Sequence, residues 1–402
     1  MRGMDKLIDN PWLTIIGINE DGGKALPDAS RNALTRAKFV FGGARHLELV
    51  AGMTGAAVLH PWPIPFDTAP LLAHAGRRVV ALASGDPFWF GAGAVLAASL
   101  PRGSWVSHPA PSSFALAANR LGWPLEGTSC HGLHAAPFAR IRPDLQNGAR
   151  LIVTLRDGKA AAKLAEYLAE IGFGGSEVHL LSRLGGANET ITQTRADRFD
   201  LPAPAAPVMA AIHAQGHGLL RGFGLPDDLF QSDGQITKGP VRALTLAALA
   251  PRKGEVLWDI GGGSGSISVE WCLAGGHSQC IEPRTDRAAN IAANAASFGV
   301  DHRLNVVTGA APDALAGLPT PDAVFIGGGG SAPLLAALWP MLPQGCRMVA
   351  NAVTLESEAL LTAACAQYGG GLMRVEIAHA APLGRMTGWQ SARPIVQWSV
   401  QK

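Results

Sequence analysis

The chain has 402 residues, 48% hydrophobic and 16% charged, with a formal net charge of +2 at pH 7. That length exceeds what one hydrophobic core usually organises, so two domains are expected, and the apolar content excludes wholesale disorder. A near-neutral chain with only two tyrosines gives no sign of an extended nucleic-acid surface, although a local basic pocket for an acidic small molecule stays open.

In chain order, residues 13–18 predict a strand, 29–37 a helix and 39–41 a second strand. Residues 78–83 form a strand pattern that enters a Gly85-Asp86-Pro87 turn. Residues 151–155 repeat the pattern, and a helix follows over 160–171, stopped by Gly172. Strands separated by helices of this length indicate a largely parallel α/β sheet. Pro202, Pro204 and Pro207 precede a last strand at 208–213, after which glycines and prolines replace any regular period. The division is therefore a first domain over 1–213, a linker over 214–226 and a second domain over 227–402. In the latter, strands are expected at 255–260, 278–282, 304–307, 323–326, 346–349, 375–379 and 395–400. Helices run between most of them, including 285–298 before a left-handed stop at Gly299. This is a doubly wound α/β domain.

Cys130, Cys272, Cys280, Cys346 and Cys365 include no C-x-x-C pair and are odd in number, which fits a reducing cytoplasm and no structural disulfide. Residues 1–6 lead into no apolar leader, and no run of about 18 apolar residues occurs, so no membrane span is expected. No metal site is expected either, since His131 and His134 beside Cys130 have no second cysteine or carboxylate cluster. Asp227-Asp228 is expected to be a turn or helix start rather than a catalytic carboxylate pair.

The strongest chemical signal is Asp259-x-Gly261-x-Gly263-x-Gly265 with Glu282 downstream. A glycine loop between strand and helix lets a ligand approach the backbone, and an acidic residue ending the next strand can accept from both ribose hydroxyls. An NAD-dependent oxidoreductase would use the same parts, but it needs G-x-G-x-x-G. An aspartate ahead of G-x-G-x-G is the class I methyltransferase pattern, with S-adenosylmethionine as cofactor and Asp259 near its cationic end. Gly309-Ala310 follows the third strand where an adenine would lie, and Gly327 to Gly330 end the fourth, leaving room for a bulky substrate.

Beyond this loop, Ile236-Thr237-Lys238-Gly239-Pro240-Val241-Arg242, Phe325 to Gly329, Asn351 to Glu356 and Arg393-Pro394-Ile395-Val396 resemble the decarboxylating precorrin methylases. In the first half, Gly42-Gly43-Ala44-Arg45-His46-Leu47, Ser84 to Phe88, Pro111 to Phe114, Arg120 to Trp123, Cys130-His131-Gly132 and Leu184-Gly185-Gly186 resemble the tetrapyrrole methylase family. The sequence departs from that family's pattern at Asn19, where glycine is usual, and at Ser182-Arg183, where an acidic residue commonly precedes the Leu-Gly pair.

The resemblance implies a class III fold of two α/β lobes, with a second S-adenosylmethionine site formed by Gly85, Asp86, Pro87, Ser112 and Ser113. In the second domain it places the other cofactor on Asp259, Gly261, Gly263, Gly265, Glu282, Ala310 and Thr237. Together the halves imply methylation of precorrin-6B at macrocycle carbons 5 and 15, with loss of carbon dioxide from the ring C acetate, giving precorrin-8. The substrate's carboxylates need cations, for which Lys238, Arg242, Arg385 and Arg393 are candidates in one half and Arg45 and Arg120 in the other. No side chain is singled out as a catalytic acid or nucleophile. A homo-oligomer is expected, with the tetrapyrrole as partner and neither nucleic acid nor membrane. The alternative outside enzymology is a non-catalytic tetrapyrrole-binding or pathway-scaffold protein, which the intact Asp259–Gly265 loop disfavours for the second half while Asn19 leaves it open for the first.

Overall fold

Short aliphatic runs bounded by glycine and proline become strands where helices can cover both faces, and this chain supplies them in two blocks. A computed structural model describes residues 11–402. Two units result: the first runs to Phe138 and resumes over Asp144–His217, and the second takes Ala139–Pro143 and Gly218–Lys402.

In the first unit, β1 (Leu13–Ile18), β2 (Phe39–Gly42), β3 (Val58–Pro61), β4 (Val79–Ser84) and β5 (Trp105–His108) form an all-parallel sheet ordered β3-β2-β4-β1-β5. Central β1 and β4 are buried on both faces, which is why they are apolar throughout rather than alternating. A second sheet holds β6 (Thr128–Gly132), β7 (Arg150–Leu155), β8 (Glu177–Ser182), β9 (Thr190–Arg195) and β10 (Val208–His213), ordered β6-β7-β10-β8-β9. Here the expectation of a largely parallel sheet is corrected. Only β6 and β7 run parallel, because β10 returns antiparallel between β7 and β8, and β9 is antiparallel to β8. β9 is an exposed edge with no apolar face, so hydrophobic periodicity gives no sign of it. The helix Lys159–Glu170 buries Ala161, Leu164, Ala165 and Leu168, a single stripe at helical spacing.

The second unit is built on β11 (Val256–Ile260), β12 (His277–Glu282), β13 (Leu304–Thr308), β14 (Ala323–Ile326), β15 (Arg347–Ala352) and β16 (Gly371–Val375). After a hairpin of β17 (Ala378–Leu383) and β18 (Met386–Ser391), β19 (Ile395–Gln401) completes a sheet ordered β13-β12-β11-β14-β15-β19-β16. A strand over 375–379 was expected; instead β16 stops at Val375 and a separate two-stranded ribbon starts, turning at Gly384 with φ +62°. Along β11, Leu257 joins a core with Trp271, Ile291 and Phe298, while Trp258 and Ile260 face another with Leu338 and Trp398. The chain reverses its progress across the sheet at β11, between β12 on one side and β14 on the other. Crevices outside the carboxyl ends of strands at such a point are where doubly wound sheets bind ligands. No helix among the described residues is long and apolar enough to cross a membrane.

Candidate functional sites

In the first unit, three loops meet at the carboxyl edge of the parallel sheet. A Cβ on Gly17 would overlap the Gly85 carbonyl oxygen and lie 2.6 Å from Ala110 N; one on Gly85 would lie 2.8 Å from Ser112 Cα. The backbones therefore cross in contact, and Ala110 N donates to Gly85 O at 3.2 Å. Asn19 serves the same crossing, its amide donating to Pro111 O at 3.2 Å. Asp86 accepts from Phe88 N at 2.8 Å, and Pro87 O accepts from Gly93 N at 2.9 Å, so the Gly-Asp-Pro segment is a tight turn. Ser112 caps the helix Ser113–Leu121 by accepting from Ala115 N. Gly85, Ser112 and Ser113 are thus brought together, with Asp86 and Pro87 in the adjoining turn.

Beside them opens a cleft of about 640 Å³, lined among others by Trp62, Phe66, Trp89, Phe90, His46 and Ser84. Trp89 and Phe90 are 50% and 56% exposed, giving the cleft an apolar aromatic wall. At its edge His46 Nε2 lies 2.9 Å from Ser84 Oγ and 2.9 Å from Arg45, which pairs with Glu20 behind it. Burial, reinforced by the Arg45 charge, pushes His46 down to about 4, so its imidazole is neutral at pH 7. Arg120 differs from expectation. Its Nε and one terminal nitrogen donate to Glu189, at 2.6 and 3.1 Å, the other terminal nitrogen donates to Asn119 Oδ1 at 3.3 Å, and Glu189 also accepts from Gly185 N at 2.7 Å. Arg120 anchors the Leu184-Gly185 loop rather than offering a free charge to a substrate. His131 likewise has a protein partner, with Nε2 2.9 Å from Asp144.

In the second unit the glycine loop closes over the ends of β11 and β12. Gly261 and Gly265 have φ of +74° and +72°, and a Cβ there would lie 2.6 Å from Gly328 O and 2.8 Å from the Ile291 side chain, respectively. Only glycine fits at either position. Gly263 is less crowded: the nearest atom to its hypothetical Cβ is Gln235 O at 3.8 Å, an ordinary contact. Glu282 is buried, accepting from Gly263 N at 2.8 Å and Arg284 N at 3.1 Å, and its backbone carbonyl accepts from Gly309 N. That carboxylate keeps lone pairs for a further donor pair. Ala310 is exposed next to Gly309.

Asp259 sits beneath the loop rather than on the crevice wall. It is 1% exposed and accepts from Ser268 Oγ at 2.5 Å and from the Cys280 thiol at 3.6 Å. Burial raises its pKa to about 6, against the pull of these hydrogen bonds. Its charge can act on a neighbouring cation only through space, in a low dielectric.

Among the expected substrate cations, Lys238 is exposed and 3.4 Å from Asp227, Arg385 is exposed in the β17–β18 turn, and Arg393 is exposed before β19. Arg242 is corrected: it is fully buried, 2.5 Å from Glu270, and cannot reach a macrocycle carboxylate. Asp227 is a tether, accepting from Gly239 N and pairing with Lys238 and Arg242. Glu270 gave no signal in the sequence, because its helix, Ser266–Leu273, is buried on nearly every side and lacks an amphipathic stripe.

Residues 13–200 match the family described as Tetrapyrrole (Corrin/Porphyrin) Methylases, and residues 228–402 the Precorrin methyltransferase domain. Across 405 residues the chain is 48% identical to a Sinorhizobium precorrin-6Y C(5,15)-methyltransferase (decarboxylating), covering 98% of this chain and 97% of that one. A Mycobacterium tuberculosis protein of the same name is 39% identical, over 97% of this chain and 100% of its own. The crystal structure of the C-terminal domain of precorrin-6Y C5,15-methyltransferase from Rhodobacter capsulatus is 61% identical over 46% of this chain and 100% of that domain, with a TM-score of 0.45.

Proposed function

The chain belongs to the precorrin-6Y C(5,15)-methyltransferase (decarboxylating) family, and from that premise we propose how the reaction divides within it. It is an S-adenosylmethionine-dependent C-methyltransferase with decarboxylase activity, acting on a precorrin in cobalamin biosynthesis. The domain over 1–213 methylates carbon 5. The domain over 227–402, beyond a linker at 214–226, methylates carbon 15 and removes the ring C acetate carboxyl, so that precorrin-6B becomes precorrin-8. Each domain holds its own S-adenosylmethionine.

The observation that carries this reading is that one chain holds two sets of tightly packed glycines, each within a segment matched by its own methylase family. The uncrowded position of Gly263 beside the Glu282 carboxylate supports placing a nucleoside there. The cofactor supplies a methyl group already activated on sulfonium, so no protein nucleophile is required. The chain's part is to align and dry the site, a contribution of about 7–11 kcal/mol where alignment is good. Glu282 takes the ribose hydroxyls, Gly261 to Gly265 and Ala310 line the nucleoside, and Thr237 and Lys238 stand at the entrance. Gly85, Asp86, Pro87, Ser112 and Ser113 do the corresponding work in the other domain. Lys238, Arg385, Arg393 and Arg45 answer the substrate's carboxylates, and the aromatic walls of the first cleft face the macrocycle.

The same reading puts the enzyme in the cytoplasm, supported by five unpaired cysteines, and has it bind no nucleic acid. It also assembles copies of the chain, supported by Leu383, Met386 and Trp389, which stand exposed on the β17–β18 ribbon. Incubation of the whole chain with precorrin-6B and methyl-labelled S-adenosylmethionine tests the chemistry. Two labelled methyls and one carbon dioxide per macrocycle are expected; a single methyl, or two without carbon dioxide, contradicts the division.

A further inference from the structure

The segment 224–238 contains no regular element beyond the turn Asp227–Leu229, yet it is fastened along its length. Both of its ends meet on Arg242. The guanidinium bonds Glu270 at 2.5 Å, Asp227 at 3.2 Å and the carbonyls of Leu225 and Thr237, and lies 4.8 Å over the Phe230 ring. Glu270 in turn accepts from the backbone of Gly224 at 2.7 Å and Leu225 at 2.9 Å.

The middle of the segment is tied to the helix Thr285–Ser297. Asn294 accepts from Gln231 N at 2.8 Å and donates to Gln231 O at 2.9 Å and to Ser264 O at 2.8 Å. Ser264 lies inside the glycine loop, so one buried amide joins segment and loop. Arg287 donates to Asp233 at 2.9 Å and to the Gln235 side chain at 2.7 Å. Gln235 supplies the carbonyl that lies against Gly263, 3.8 Å from the position of a Cβ there.

The buried arginine–glutamate pair is costly to desolvate, and here its hydrogen bonds hold both ends of the segment in one geometry. We propose that Arg242, Asn294 and Arg287 are positioning residues for the C-terminal methyl transfer, fastening the segment 224–238 across the glycine loop so that Thr237 and Lys238 are held at the cofactor's entrance. Ordering the segment in advance removes an entropy cost that binding would otherwise bear. This inference rests on the cofactor reading of that loop.

The test uses the whole chain, with S-adenosylhomocysteine titrations and steady-state kinetics at each carbon. Arg287→Gln leaves the buried hub intact, so the unit should keep its Tm. S-adenosylhomocysteine should bind the C-terminal site about tenfold more weakly, for the loss of charge-assisted hydrogen bonds. KM for S-adenosylmethionine at carbon 15 should rise more than kcat falls, with carbon 5 transfer unchanged. Arg287→Lys should recover part of the loss by keeping a charge beside Asp233. Asn294→Ala should weaken binding in the same way. Wild-type affinity and KM in both Arg287→Gln and Asn294→Ala would overturn the proposal. If the wild-type chain itself binds nothing at that loop, the cofactor reading fails, and this inference with it.

Discussion

In the second unit most of the groups assigned to the proposed cofactor lie within one stretch, from Gly261 to Glu282, along a loop, a helix and a second strand. In the first, Gly17, Gly85 and Pro111 to Ser113 come from distant positions and touch because β4 and β5 flank β1 in the sheet. The same task is solved locally in one case and by topology in the other. The local solution tolerates movement of its surroundings and depends on a few side chains. The topological one depends on backbone crossings that leave no room for a Cβ.

That contrast gives the largest expected effect. Gly17→Ala drives a methyl into the Gly85 carbonyl and must part the two loops. Displacements of this kind can cost about a hundredfold in rate, so carbon 5 methylation should fall by roughly that factor or more. Carbon 15 methylation, measured in the same assay, should be unaffected. A variant that keeps carbon 5 activity would show that the crossing is dispensable.

Glu282→Ala should give a smaller, complementary loss. Removing a charged hydrogen-bonding partner should weaken cofactor binding in the second unit by about 1.5–3 kcal/mol. Part of that loss is the release of Gly263 N, which Glu282 holds. Carbon 5 methylation should persist; unchanged S-adenosylhomocysteine affinity would leave Glu282 only a structural role.

The smallest effect concerns pH, where the units should respond in opposite directions. Asp259 is raised from 3.8 to about 6 by burial, so its contribution to stability is fullest below 3.8 and is lost as pH rises towards 6. His46 is lowered from 6.5 to about 4, so its contribution is intact above 6.5 and is lost as pH falls towards 4. Each is worth at most about 3 kcal/mol. Calorimetric scans between pH 7 and 4 should show Asp259→Asn stabilising the second unit most at neutral pH, and His46→Gln relieving acid sensitivity in the first. Parallel pH profiles for the wild type and both variants would contradict these assignments.

What was legible in the sequence follows the same contrast. The glycine loop and Glu282 could be found because the spacing along the chain is itself the geometry. Gly85 and Ser112 could be found only through resemblance, since nothing local says they meet. The role of Arg242 was hidden because it depends on Glu270, a carboxylate on a helix without an amphipathic stripe, and Arg120 was hidden by Glu189 in the same way. Strand β9 and the β17–β18 ribbon escaped because their side chains face solvent, where hydrophobic alternation carries no information.

The measurement that bears most directly on two independent cofactor cradles is the stoichiometry of S-adenosylhomocysteine binding to the whole chain by titration calorimetry. The wild type should approach two per chain, and Gly17→Ala and Glu282→Ala should each leave one tight site, the remaining one belonging to the opposite unit. A wild-type value firmly at one, lost altogether in either variant, would contradict the account.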